Sequence, residues 1–207
     1  MLGCYDYTVI VTYLGLVSGV FGIINAATLG DTKTAVLCLM FSGICDMFDG
    51  KIARTKKNRT EEEKDFGIQI DSMCDLICFG VLPAAIGLSL GIRSMIGYLF
   101  ITLYILAALI RLSYFNVLEK IRQTETDDVR KYYRGMPVTM SAIIIPIVFL
   151  MQQRLTNHFT LIYETTLLLV ALLFVLDFKV KKADKKMMIL LTVFGLLVAL
   201  RYLVKGI

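Results

Sequence analysis

The sequence predicts an all-α, polytopic bundle of membrane-spanning helices. Three observations predict it. Of the 207 residues, 57% are hydrophobic, against roughly 45–50% apolar in a soluble domain even with glycine counted. Charged residues make up only 19% of the chain and gather in a few short stretches. The apolar runs between those stretches approach the ~20 residues a helix needs to cross ~30 Å of hydrocarbon. No polar block is long enough for a second domain, so residues 1–207 form a single integral-membrane unit.

The elements follow in order. The first apolar run covers about 8–29; the MLGCYDYTVI segment before it has neither a basic n-region nor a small-residue cleavage site, so we expect this span to be retained. Gly15 and Gly19 form a G-x-x-x-G that suits close helix packing, either within the chain or between two copies. Further spans are expected at about 33–53, 67–90, 94–118, 137–153, 160–178 and 186–205, which makes seven. The fifth is short and opens with Pro137, which fits a first helical turn. The segment Thr55 to Asp65, TKKNRTEEEKD, is the most polar stretch and is expected to be a solvated loop.

Basic residues alternate between connections. Lys51, Arg54, Lys56, Lys57, Arg59 and Lys64 follow the second span, Lys120, Arg122, Arg130, Lys131 and Arg134 the fourth, and Lys179, Lys181, Lys182, Lys185 and Lys186 the sixth. The opposite connections hold only Lys33, Arg93 and Arg154. The positive-inside rule then puts the N-terminus and the even connections in the cytoplasm. The same distribution accounts for the net charge of +5 without nucleic acid, which we exclude as a partner. Four of the five cysteines, Cys38, Cys45, Cys74 and Cys78, lie in apolar runs with no metal-ligand spacing and are expected to act as small hydrophobes.

Acids interrupt this pattern. Span two ends in CDMFDGKIAR and span three begins with GIQIDSMCDLICFG, so Asp46, Asp49, Asp71 and Asp75 lie within the membrane or at its edge. One acid at a helix centre costs about 2.5–3.5 kcal/mol on insertion scales, which a purely structural role does not readily justify. The i, i+3 and i, i+4 spacings put each pair on one helix face. At 1.5 Å per residue, Asp46 and Asp75 come roughly 12 Å below the cytoplasmic surface and Asp49 and Asp71 about 6–8 Å below it. Like charges so close either take up protons or hold cations, and hard oxygen ligands favour Mg²⁺, Mn²⁺ or Ca²⁺ over zinc.

These residues resemble a known family. Asp46-x-x-Asp49-Gly50-x-x-Ala53-Arg54 followed by Gly67-x-x-x-Asp71-x-x-x-Asp75 is similar to the signature of the CDP-alcohol phosphatidyltransferases, with a longer spacer between Arg54 and Gly67 than that family usually has. DSMCDLICFGVLPA, RLSYFN (Arg111 to Asn116) and RGMPVT (Arg134 to Thr139) resemble its phosphatidylserine synthase branch, and the likeness runs over about residues 10–150. In the first span Thr12, Gly15 and Gly19 align with a family T-x-x-N-x-x-x-G pattern, with Gly15 where the Asn stands.

The resemblance implies a compact six-helix core, with the last span as an appendage, and suggests a homodimer. It implies metal-dependent transfer of the phosphatidyl group of CDP-diacylglycerol to L-serine, giving phosphatidylserine and CMP, at a site open to the cytoplasm. Asp46, Asp49, Asp71 and Asp75 would hold Mg²⁺ or Mn²⁺, Asp75 doubling as general base. Gly50, Ala53 and Gly67 would admit the CDP-lipid, unless they only pack helices, and Lys51 and Arg54 would neutralise its diphosphate, unless they only anchor the helix end. Arg111, buried in span four, should meet an anion: the lipid phosphate, the serine carboxylate or an acid of the cluster. Asn116 and Arg134 are candidates for the same pocket. The only histidine, His158, falls in a connection on the far side, which favours direct attack by the alcohol over a histidine-linked intermediate. Glu164, in span six, has no assigned role. A sibling enzyme using glycerol 3-phosphate or an inositol phosphate is the near alternative, and a divalent-cation transporter the distant one.

Overall fold

The computed structural model describes residues 7–56, 58–125, 132–152 and 158–181, with the backbone alone at 122–125, 132–134, 180 and 181. Those residues form an all-α bundle: α1 Tyr7–Leu29, α2 Thr32–Ala53, α3 Glu61–Ser89, α4 Met95–Glu125, α5 Val138–Leu150 and α6 Phe159–Val175. The expected span at 186–205 lies outside the described residues. Helices α1, α3 and α4 are long and apolar enough to cross a membrane, while α5 and α6 are shorter and apolar. Outward-facing side chains such as Val17, Phe21, Ile96, Leu99 and Leu169 are apolar, as lipid-facing positions require.

The charged spacer departs from expectation. It is a loop only as far as Thr60, and α3 begins at Glu61, six residues before Gly67. Sequence chemistry explains this: the Thr60 hydroxyl accepts from Glu63 N–H at 3.2 Å, and Glu63 Oε2 accepts from Thr60 N–H at 3.1 Å. With Glu61, Glu62 and Glu63 in the first turn, this reciprocal cap suits the positive end of the helix dipole. At the other border, α4 runs to Glu125, past the expected end at 118. Past its C-terminal end lies an element the hydropathy pattern does not signal, an antiparallel pair of strands, β1 Tyr132–Arg134 and β2 Lys179–Lys181, with Arg134 opposite Lys179.

Helix α2 starts at a strong cap, where Asp31 accepts from the Thr34 N–H and hydroxyl; these bonds hold its carboxyl below the usual carboxylate range. The core beyond is apolar: Ala35, Val36, Leu39, Leu82, Ile86, Ile145 and Leu167 are fully buried.

Helix α1 packs most extensively on α2, and α4 on α6. Glycine sets the α1 contacts. A Cβ at Gly19 would lie 2.6 Å from Cys78 Sγ, and one at Gly22 would lie 2.8 Å from Cys38 Cβ. The G-x-x-x-G of Gly15 and Gly19 is therefore used inside the protomer, against α2 and α3.

Within α3, Leu76–Val81 is a π-helical turn. Pro83 lies just beyond it and has no N–H for the Phe79 carbonyl, four residues earlier. That carbonyl instead accepts from the Tyr104 hydroxyl at 2.6 Å and the Ser141 hydroxyl at 3.4 Å, so α4 and α5 satisfy what the proline leaves open.

Candidate active site

The antiparallel pair α2 and α3 brings its acids together where α1 crosses. One carboxylate oxygen each of Asp46, Asp49 and Asp71 lies within 4.8 Å of the other two. Asp49 is buried, and its Oδ2 accepts from the Thr12 hydroxyl of α1 at 3.1 Å. Asp75 lies one turn deeper than Asp71 and lines a narrow inner cavity with Asp46, Asp49, Thr12, Gly15, Cys45, Cys74 and Cys78.

A wider outer cavity of about 170 Å³ adjoins it, lined by Thr8, Thr12, Asp49, Gly50, Ala53, Arg59, Lys64, Gly67 and Asp71. Asp49 belongs to both cavities and Asp75 only to the inner one, the order of depth that helix rise predicts. Hard carboxylate oxygens at this spacing, with no imidazole in reach, suit Mg²⁺ or Mn²⁺.

The other expected residues divide. Gly50, Ala53 and Gly67 line the outer cavity. Among the described residues nothing comes within 4 Å of where a Gly50 Cβ would be, so Gly50 leaves space open there. Lys51 and Arg54 are exposed beside it: Lys51 Nζ lies 5.2 Å from the Phe48 ring centroid, and Arg54 Nε donates to the Gly50 carbonyl at 2.9 Å.

Arg111 is buried, and its Nε donates to the Met136 carbonyl at 3.1 Å, so the RGMPVT segment holds it in place. That segment can reach because Gly135 adopts φ +73°, and a Cβ there would lie 2.9 Å from the Leu176 carbonyl. Asn116 accepts from the Ser72 hydroxyl at 2.7 Å, tying α4 to the turn of α3 that carries Asp71 and Asp75. Arg134 is placed only by its backbone in β1.

Two features were not foreseen. Thr12 was noted only through its alignment, and a lone Thr in an apolar run gives no sign that it reaches an acid 37 residues away. Arg59 and Lys64 were assigned to a solvated loop, yet they form part of the cavity wall.

The chain matches the family model for CDP-alcohol phosphatidyltransferase over residues 8–177, which includes every element that builds these cavities. It belongs to the CDP-alcohol phosphatidyltransferase family.

Within that family it is similar to proteins named CDP-diacylglycerol--serine O-phosphatidyltransferase. The one from Saccharomyces cerevisiae is 31% identical over 105 residues, covering 50% of this chain and 37% of the relative. The one from Helicobacter pylori is 29% identical over 171 residues, 76% of this chain and 67% of the relative. The one from Bacillus subtilis is 29% identical over 116 residues, 55% of this chain and 59% of the relative. The chain thus spans between about a third and two thirds of the length of the curated relatives it matches. No solved structure matches the chain. Family and long apolar helices together make it an integral membrane protein.

Proposed function

We propose that the protein transfers the phosphatidyl group of CDP-diacylglycerol to L-serine, releasing CMP. The observation that carries this reading is the convergence of Asp46, Asp49 and Asp71 at the junction of two cavities, one wide enough for part of a nucleotide and one leading inward. The names of the three relatives support serine as the acceptor.

In this reading the outer cavity takes the CDP moiety, with Gly50, Ala53 and Gly67 forming the low wall beside it and Lys51 and Arg54 at its rim. Asp46, Asp49 and Asp71, with Asp75 behind them, would hold Mg²⁺ or Mn²⁺, which when bound neutralises charge building on the phosphate oxygens. Thr12 fixes the Asp49 carboxylate. The serine hydroxyl attacks the lipid-side phosphorus, the bond to the CMP oxygen breaks, and Asp75 accepts the hydroxyl proton. Arg111, Asn116 and Arg134 are the candidates for binding the serine carboxylate or lipid phosphate.

The site opens to the cytoplasm, the side to which the basic connections assign the α2–α3 spacer. A single cysteine at Asn58, in a background without native cysteines, should react with an impermeant thiol reagent only from the cytoplasmic side. A homodimer, which the resemblance implies, would need a surface other than the Gly15 and Gly19 stripe.

The deciding experiment supplies CDP-diacylglycerol with labelled serine, glycerol 3-phosphate or inositol phosphate to the purified protein. We expect phosphatidylserine and CMP from serine alone, abolished by excess EDTA and restored by Mg²⁺ or Mn²⁺. Product from a phosphorylated alcohol would move the assignment to a sibling reaction, and full turnover in EDTA would end the metal reading.

A further inference from the structure

The α2–α3 spacer is longer than the family pattern, and the structure shows where one of its residues goes. Two of its cations are already matched: Lys56 Nζ pairs with Glu63 Oε1 at 2.9 Å and Lys64 Nζ with Glu61 Oε1 at 2.7 Å. Arg59 makes no ion pair among the described residues. Its Nη2 donates to the Glu63 carbonyl at 2.9 Å, which fastens the guanidinium to the first turn of α3. Its Nε is buried and has no hydrogen-bond partner among the described residues.

The guanidinium lies directly on Gly67. A Cβ added there would be 2.6 Å from Arg59 Nη2, so this signature glycine leaves room for an arginine. Arg59 lines the outer cavity with Gly50, Ala53, Asp49 and Asp71. A planar cation with an orphaned N–H, fastened by a hydrogen bond in the wall of a cavity, is suited to binding a phosphate oxygen. It also supplies positive charge in the cavity wall itself, whereas Lys51 and Arg54 are exposed beside it.

We propose that Arg59 is a donor-binding residue that clasps the diphosphate of the CDP moiety from its seat on Gly67. This rests on the reading of the outer cavity as the CDP site. It adds a spacer residue to the signature cations Lys51 and Arg54, which stand at the rim of the cavity, Arg54 with its Nε on the Gly50 carbonyl.

The test measures CDP affinity by calorimetry on the full chain in detergent, together with the apparent KM for CDP-diacylglycerol and for serine. Arg59→Gln should weaken CDP binding and raise the donor KM by about 10- to 100-fold, the range of a charge-assisted hydrogen bond, and leave the serine KM unchanged. Arg59→Lys should recover part of the loss, which a folding defect would not allow. Gly67→Ala should weaken CDP binding in the wild-type background and add little in Arg59→Gln, because both changes remove the same contact. Unchanged CDP affinity in Arg59→Gln, a loss confined to the serine KM, or full additivity with Gly67→Ala would each overturn the proposal. A wild-type protein that binds no CDP would instead overturn the reading of the cavity itself.

Discussion

The half of the bundle around Asp49 and the half around Gly22 share helices α1, α2 and α3, yet Gly50 in the first and Gly22 and Gly43 in the second do opposite things. In the far half a Cβ at Gly22 or Gly43 would lie 2.8 Å from Cys38 Cβ or 2.7 Å from Ala142 Cβ, so the missing side chain lets helices touch. In the near half nothing among the described residues stands within 4 Å of a Gly50 Cβ, and the missing side chain leaves open space. Polar groups divide the same way. The far half uses Tyr163, whose hydroxyl donates to the Pro83 carbonyl at 2.8 Å, to tie α6 to α3, and the near half gathers the carboxylates of Asp46, Asp49 and Asp71. One end is closely packed and the other leaves space beside its acids.

The strongest attempt to break this comparison is Asp49→Asn. Turnover should fall by about two orders of magnitude or more, while the thermal unfolding midpoint in detergent stays where it was. Joint loss of fold and turnover would show that the acids also support the bundle.

Next come Gly43→Ala and Gly22→Ala, which should each cost about 1–3 kcal/mol by overpacking. Their signature is a lowered unfolding midpoint with unchanged turnover per folded molecule.

Gly50→Ala sharpens the contrast, because a helical glycine with free space gains about 0.5–1 kcal/mol from alanine's propensity. Stability should hold or rise as the apparent KM for CDP-diacylglycerol increases; a destabilised protein would show that Gly50 packs after all.

The smallest effect belongs to Asp31→Ala, which removes the α2 cap and should cost about 1 kcal/mol near neutral pH. Folding lowers the Asp31 pKa, so its contribution is present above the unfolded value of about 3.9 and fades as pH falls through the folded value. The gap between wild type and variant should therefore shrink as unfolding is followed from about pH 7 to about pH 3.

How much was legible depended on how far each residue departed from its surroundings. Asp46, Asp49, Asp71 and Asp75 announced themselves as charge in hydrocarbon, and helix rise then gave their order of depth. Arg59 could not be found this way, because in TKKNRTEEEKD a cation is ordinary; only its seat on Gly67 sets it apart from Lys56 and Lys64. Thr12 was hidden for the opposite reason, since a threonine in a lipid-crossing helix can satisfy its own backbone. The start of α3 was misplaced because hydropathy tracks the membrane border, whereas the helix obeys the Thr60 and Glu63 cap. The strand pair is two three-residue segments, too short for any periodicity to register.

The π turn of α3 sets the angular relation between its two ends. Such a turn holds one residue more than the α pitch allows, and one residue corresponds to about 100° of rotation. Asp71 and Asp75 are therefore aimed by one azimuth, while Gly87 faces Tyr163 of α6 on another, with the Tyr104 hydroxyl pinning the joint at Phe79. Deleting a single residue between 76 and 81 would swing the acids away from Asp49 even if every side chain elsewhere were kept, whereas a substitution there leaves the bearing intact. The length of this segment, more than its composition, is what selection has to hold constant.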